Sequence, residues 1–270
     1  MIPRSTDGKT RVLSLSYGKD SMACLGALEE LGWPLDRIVT ADVWATDTIP
    51  ADLPPMVEFK DYADKVILER YGIEVEHFCA TKHGKTLSYK DVFYNKRVRG
   101  GRVGETIGWP MTLGAWCNSE LKMAAIKNAK SSYRGGIEYI GIAVDEPNRF
   151  HNLTDTKLSP LVEVGWTEAD CRKWCEQNEL LSPIYTQFAR GGCWFCHNQG
   201  VQALRTLRKQ YPELWALLLR WDSDSPVTFK ADGHTVHDFD ERFQAEDDGY
   251  IRPDEPFRWA MLEALQTRLC

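Results

Sequence analysis

The chain has 270 residues, a formal net charge of −6 and eight cysteines. That length can bury a full core, in one large domain or a domain with an appended lobe, and the mild acidity gives no global pull toward nucleic acid. Eight cysteines are too sparse for a disulfide scaffold, and with no secretory leader and no apolar run of eighteen residues the expectation is a cytoplasmic protein without a membrane partner, its thiols in metal or redox roles.

Arg11 to Leu15 is the short apolar run of a buried strand, and Met22 to Leu28 opens a helix with apolar residues three and four apart. Between them Ser16, Tyr17, Gly18, Lys19, Asp20 and Ser21 form a polar turn at a helix N-terminus. Unpaired N–H groups and the helix dipole make such a turn a binding place for polyphosphate or sulfate. The spacing fits neither the Walker pattern nor the three-glycine dinucleotide fingerprint. The plain alternative is a tight strand-to-helix turn with polar caps.

Further along, 38–43 reads as a second strand with Asp42 near its C-terminal end, 54–71 as an amphipathic helix and 73–78 as a third strand. Residues 81–111 are basic and glycine-rich, a long loop or insertion over the site; Lys82 to Arg102 carries seven cations against the single acid Asp91. A helix from 119 to 130 precedes a strand over 138–143, and the alternation implies an α/β fold with a mostly parallel sheet flanked by helices. Ligands of such sheets bind beyond the strand C-termini, where 16–21, Asp42 and 143–149 converge. Thr167 begins a capped helix, another is expected over 201–221, and the acidic tail from Asp222 closes with a helix near 257–269. The expected division is a nucleotide-binding domain over 9–164 and a small cysteine-bearing helical lobe with its tail over 165–270.

Cys193 and Cys196 flank Trp194-Phe195, a spacing that clamps one metal or one cluster edge. Cys117 stands before the helix at Ser119, where the dipole favours thiolate. Cys175 is the candidate fourth ligand and Cys171 a weaker one, although both also suit a helix core. Such soft donors fit an iron–sulfur cluster or tetrahedral zinc, and His197 can complete zinc.

The turn Ser16-Tyr17-Gly18-Lys19-Asp20-Ser21 resembles the pyrophosphate loop of the ATP pyrophosphatase superfamily, usually Ser-Gly-Gly-x-Asp-Ser, with Tyr17 at the first glycine adding bulk near the phosphates. The ordered set 117–122, 166–170, 182–185 and 192–196 resembles the branch of phosphoadenosine phosphosulfate (PAPS) and adenylyl sulfate (APS) reductases, and its iron–sulfur relatives that move sulfur onto tRNA or the DNA backbone. The likeness spans residues 10 to 200. It implies an adenine nucleotide alpha hydrolase-like (Rossmann-like) fold, with a [4Fe–4S] cluster on Cys117, Cys193 and Cys196 where one is present. Two features depart from the reductases: Trp116 replaces the first of two adjacent cysteines, and Cys270 ends the chain without the neighbours of their nucleophilic cysteine.

The resemblance implies an enzyme cleaving ATP to AMP and pyrophosphate, adenylating an acceptor for iron–sulfur-dependent sulfur transfer. Ser16, Gly18 and Ser21 would hold the leaving pyrophosphate, Lys19 would add positive charge and Asp20 would cap the helix or hold Mg²⁺. Asp42 would reach the adenosine, and Lys122 and Arg149 would contact phosphate or sulfate. The partners expected are an adenine nucleotide (ATP or adenylyl sulfate), a nucleic acid or sulfur carrier, and a second copy in a homodimer. The alternatives are a reductase releasing sulfite, with Cys270 attacking, and a non-catalytic nucleotide- or nucleic-acid-binding module around a structural metal.

Overall fold

The computed structural model describes residues 2–110, 115–133, 135–188 and 191–262. It divides into two compact units, Met1–Tyr89 with Cys117–Cys193, and Lys90–Trp116 with Trp194–Cys270. This differs from a single boundary at residue 165. The helix that starts at Thr167 belongs to the first unit, and much of the basic stretch belongs to the second.

The first unit is built on a five-stranded parallel sheet. Strands β1 (Arg11–Leu15), β2 (Arg37–Asp42) and β3 (Val75–Cys79) run outward to one side. A short hairpin, β4 (Thr81–Lys82) and β5 (Lys85–Thr86), lies apart from that sheet. Strands β6 (Ile137–Tyr139) and β7 (Lys157–Leu158) extend the main sheet on the other side of β1, giving the order β3-β2-β1-β6-β7. The chain therefore reverses its direction of growth at β1, which is where ligands bind in open α/β sheets.

Helix α1 (Lys19–Leu31) follows β1, and α2 (Pro54–Tyr71) joins β2 to β3. Both stop at a left-handed glycine, Gly32 and Gly72, whose N–H groups satisfy carbonyls of the last turn. The short α3 (Tyr89–Phe93) spans the change of unit. A π-helical turn over Asn118–Met123 runs into α4 (Ala124–Ser131), which packs on β2 and β3. Residues 119–130 therefore hold a widened first turn instead of a plain α-helix; such π segments are frequent at functional sites.

Helices α5 (Pro160–Val164) and α6 (Glu168–Gln177) pack on α1. The Thr167 side chain accepts from the Asp170 N–H while the Asp170 carboxylate accepts from Thr167, a reciprocal cap. Close approach of α1 and α6 requires Gly26, since a Cβ there would lie 2.2 Å from Trp174 Nε1. The fold is α/β and Rossmann-like.

The second unit contains α7 (Val201–Gln210), α8 (Pro212–Asp224) and α9 (Val236–Asp247), which pack on one another. Its core is aromatic: Phe93 and Trp109 meet at 5.1 Å between ring centroids, and Trp194 stacks on Trp221 at 5.6 Å. The buried Asp222 accepts from Trp109 Nε1 at 2.9 Å and from the Val236 N–H at 2.8 Å, tying α9 to that core. The helix expected over 201–221 is interrupted at Tyr211, because Pro212 cannot donate to a preceding turn and begins a new helix instead. The helix expected near 257–269 falls mostly outside the described residues. No described helix is long and apolar enough to cross a membrane.

Candidate functional site

The turn after β1 is fixed by its own side chains. Ser21 Oγ lies 3.0 Å from Ser16 Oγ, accepts the Ser16 N–H at 3.1 Å and donates to the Gly18 carbonyl at 3.0 Å. Gly18 caps α1 without a side-chain bond, and the N–H groups of Tyr17 and Gly18 have no acceptor among the described residues. The Lys19 N–H donates to the Tyr185 hydroxyl at 3.2 Å. A close pass of β6's exit under this turn depends on Gly141, whose added Cβ would lie 2.6 Å from the Ser21 nitrogen.

The Tyr17 ring is packed into the unit and not held out over the turn. Its φ is +55°, the left-handed conformation that favours glycine, and its side chain turns inward until the residue is 1 % exposed. The phenol donates to Asp64 Oδ1 at 2.6 Å and lies 3.2 Å from His77 Nε2. His77 in turn bridges Asp64, at 2.9 Å, and Asp42, at 2.7 Å. Hydrogen bonds to Asp42 and Asp64 outweigh burial and raise the imidazole pKa to about 9. Burial pushes Asp42 up, but the bonds to His77 and Lys60 prevail and hold its carboxyl down at about 2. Asp42 is thus engaged with Lys60 and His77, and it is not among the residues lining the cavity beside the turn.

That cavity has a volume of about 330 Å³ and opens at the C-terminal ends of β1 and β2. The turn contributes Ser16, Tyr17 and Gly18; Thr40, Lys60, Lys122, Tyr185 and Cys193 line it from other elements of the first unit. Its size falls in the range of small-molecule sites. Lys60 reaches it from α2, bound to Asp42 at 2.9 Å and Asp52 at 2.6 Å, with its ammonium 5.2 Å from the Tyr17 ring centre. Burial works against the ammonium, but the two carboxylates more than compensate and raise its pKa. Lys122, on the π-helical turn, brings a second cation to the cavity.

Lys19 and Asp20 point elsewhere. Lys19 Nζ is held by Asp20 at 2.8 Å and Glu168 at 2.7 Å, so it is a fixed ion-pair partner and not the free cation expected. Burial lowers its pKa, yet those two bonds leave it raised, while burial raises that of Asp20. Asp20, Glu146 and Glu168 bring carboxylate oxygens within 4.8 Å of one another, a hard donor set of the kind Mg²⁺ takes. Neither Lys19 nor any of the three carboxylates lines the cavity. Arg149 also stands off it, paired with Glu146 at 2.7 Å.

The cysteines separate by environment. Cys193 lines the cavity and is half-buried, and Cys117 is half-buried immediately before the π-helical turn that carries Lys122. Both have partial exposure of the kind found at reactive thiols. Cys175 does not: it is buried between α6 and α1, its thiol donates to the Lys19 carbonyl at 3.3 Å, and burial pushes its pKa up to about 12. Cys171 is buried on the same helix with its pKa likewise raised by burial. The helix-core role holds for both, and Cys175 does not fit as a fourth ligand. Within the first unit Cys117, Cys175 and Cys193 do not gather tightly enough to share one ion. Cys196 belongs to the second unit, in a turn where the Gln199 N–H donates to its carbonyl at 2.9 Å. Cys270 lies outside the described residues.

Sequence reasoning missed Lys60, Thr40, Tyr185 and the Asp64–His77 pair. Tyr185 was within reach, since it closes the Ser182-Pro183-Ile184-Tyr185 motif. No known protein-family model and no curated protein matches the chain.

Proposed function

We propose that the chain binds an adenine nucleotide in the crevice beside the first turn and cleaves ATP between its α- and β-phosphates, adenylating an acceptor for sulfur transfer. One observation carries this reading: the turn after β1, at the sheet's switch point, shares a single cavity with Lys60, Lys122 and Cys193. The Tyr17 and Gly18 N–H groups and the α1 dipole hold a polyphosphate tail, and Lys122 balances charge that builds on the leaving pyrophosphate. Tyr185 is placed to give up its bond to Lys19 and let that N–H join them. Lys60, already shared between Asp42 and Asp52, shapes the wall and balances the charge of those half-buried carboxylates. In this finer reading the fold is of the adenine nucleotide alpha hydrolase kind.

Mg²⁺ fits the Asp20, Glu146 and Glu168 oxygens, where it would displace the Lys19 ammonium from its ion pairs. Cys117 and Cys193, both half-buried in the first unit, have the soft donor chemistry that an iron–sulfur cluster takes, and such a group when bound would serve the sulfur transfer. The chain's own residues supply nucleotide binding and charge neutralisation.

The test is product analysis with α-labelled ATP and Mg²⁺, in parallel with APS and PAPS plus a thiol donor. AMP and pyrophosphate from ATP, lost in Lys122→Ala, is the expected result. Sulfite from APS or PAPS with ATP untouched would establish the reductase chemistry instead, and nucleotide binding without turnover of any of them would leave a binding module.

A further inference from the structure

The N-terminal ends of β6 and β7, at the end of the sheet away from the first turn, frame a second cleft of about 400 Å³ that the nucleotide reading does not use. Its described walls all belong to the first unit. Part of its lining is bare backbone: Gly135 sits at φ of 72°, the left-handed conformation that favours glycine, and a Cβ on Gly136 would lie 2.5 Å from the Thr10 carbonyl oxygen. Neither glycine's N–H has an acceptor among the described residues. The turn before β7 is closed by the Thr154 N–H on the Lys157 carbonyl, at 2.9 Å, and the Lys157 N–H on the Thr154 carbonyl, at 3.1 Å, and it brings Thr154 and Thr156 to the cleft.

The charges in the cleft are not matched. Glu138 and Lys157 are register partners on neighbouring parallel strands, which places both side chains on one face of the sheet. Glu138 nevertheless pairs elsewhere: its Oε2 accepts from Lys130 Nζ, on α4, at 2.8 Å. Lys157 Nζ has no hydrogen bond or ion pair among the described residues. Two lysines thus face one carboxylate, in a chain whose net charge is −6, and Asp155 at the tip of the turn does not line the cleft. The Glu138 side chain is only 11 % exposed, and its Oε1 has no donor among the described residues. Burial strips a carboxylate oxygen of most of its water, so that open oxygen calls for a donor from outside the chain.

From these groups we infer that the cleft is a binding site for a sugar phosphate. Glycine N–H groups, threonine hydroxyls and the Lys157 ammonium are the donors a phosphomonoester takes, and the open Glu138 oxygen accepts from a hydroxyl of the sugar. Each half of such a ligand answers a group that the other half cannot. Inorganic phosphate would set its charge beside Glu138 and leave Oε1 without a donor, and a neutral sugar would leave Lys157 unmatched. At about 400 Å³ the cleft falls in the size range of small-molecule sites. It stands apart from the crevice beside the first turn, since no described residue lines both.

The experiment is isothermal titration calorimetry of the full chain, without nucleotide, using ribose 5-phosphate, glucose 6-phosphate, inorganic phosphate and ribose. At least one sugar phosphate is expected to bind more tightly than inorganic phosphate, and ribose not to bind measurably. Lys157→Met is expected to weaken that sugar phosphate roughly tenfold or more, as the loss of one hydrogen bond to a charged group implies. Glu138→Met is expected to narrow the preference for sugar phosphate over inorganic phosphate, a split that a merely structural role would not produce. Unchanged circular dichroism and melting confirm folding, and Lys157→Met, which breaks no bond among the described residues, decides the matter should Glu138→Met not fold. Lys122→Ala, in the other crevice, is expected to bind the sugar phosphate as the native chain does. Absent sugar-phosphate binding, inorganic phosphate bound as tightly, native affinity in Lys157→Met, or loss of binding in Lys122→Ala would each overturn the inference. Because no nucleotide is present and Lys122 reports on the crevice separately, these outcomes are independent of the proposed ATP chemistry.

Discussion

Removing the Tyr17 hydroxyl isolates what holds the first turn in its left-handed shape. Tyr17→Phe keeps the buried ring and loses the bond from the phenol to the Asp64 carboxylate at 2.6 Å together with the longer contact to His77 Nε2 at 3.2 Å. Bonds to charged groups contribute about 1.5–3 kcal/mol. Asp64 retains His77 at 2.9 Å and its side chain is 26 % exposed, so water replaces part of what is lost and the lower end applies, about 1.5 kcal/mol. At about 2–4 °C per kcal/mol, melting should fall by about 3–6 °C. Tyr17→Gly separates the two opposing effects at this position. It relieves about 1–2 kcal/mol of left-handed strain but forfeits about 3–5 kcal/mol of packed aromatic ring, so it should be less stable than the native chain by about 1–4 kcal/mol. Urea unfolding followed by near-ultraviolet circular dichroism reads both. A Phe variant with native stability, or a Gly variant more stable than the native chain, would refute the assignment of Tyr17 as the turn's internal anchor.

His77 makes stability pH-dependent with a definite sign. Its folded pKa is raised from 6.5 to about 9, so its contribution is complete below pH 6.5 and is lost as pH climbs through 9; the native chain should lose stability over that window and His77→Gln should lose less. A Cβ added at Gly26 meets the Trp174 ring at 2.2 Å, so Gly26→Ala should cost about 1–3 kcal/mol in the same unfolding assay. In anaerobically purified protein, Cys193→Ala should lower bound iron or zinc and Cys175→Ala should leave it unchanged; equal loss in both would return Cys175 to the ligand set.

What the sequence made legible was local. Helix 54–71 is bounded as expected because two prolines open it, one apolar stripe runs its length and Gly72 closes it. The turn between β1 and α1 was readable for the same reason, since strand, glycine, hydroxyls and helix are contiguous. Readings failed where partners come from distant segments. Lys19 is claimed by Glu168, 149 residues away, and Asp42 by Lys60 and His77 on two other elements, so neither is available in the way their positions near the turn suggested. Two errors were avoidable from local chemistry: Pro212 signals a new helix, and Thr235 with Asp238 forms the capping box that starts α9 inside a stretch read as an acidic tail. The π-helical start at Asn118 carries no sequence signal that we can identify.

Photolabelling with 8-azido-ATP, followed by mapping of the modified peptide, tests nucleotide binding in the crevice most directly. Label should fall on peptides carrying the cavity-lining residues of 14–18, 40–43, 51–60, 122–126, 184–185 or 191–193, and excess ATP should suppress it. Label that maps elsewhere, or that ATP does not compete away, would contradict an adenine nucleotide site beside Ser16 to Ser21.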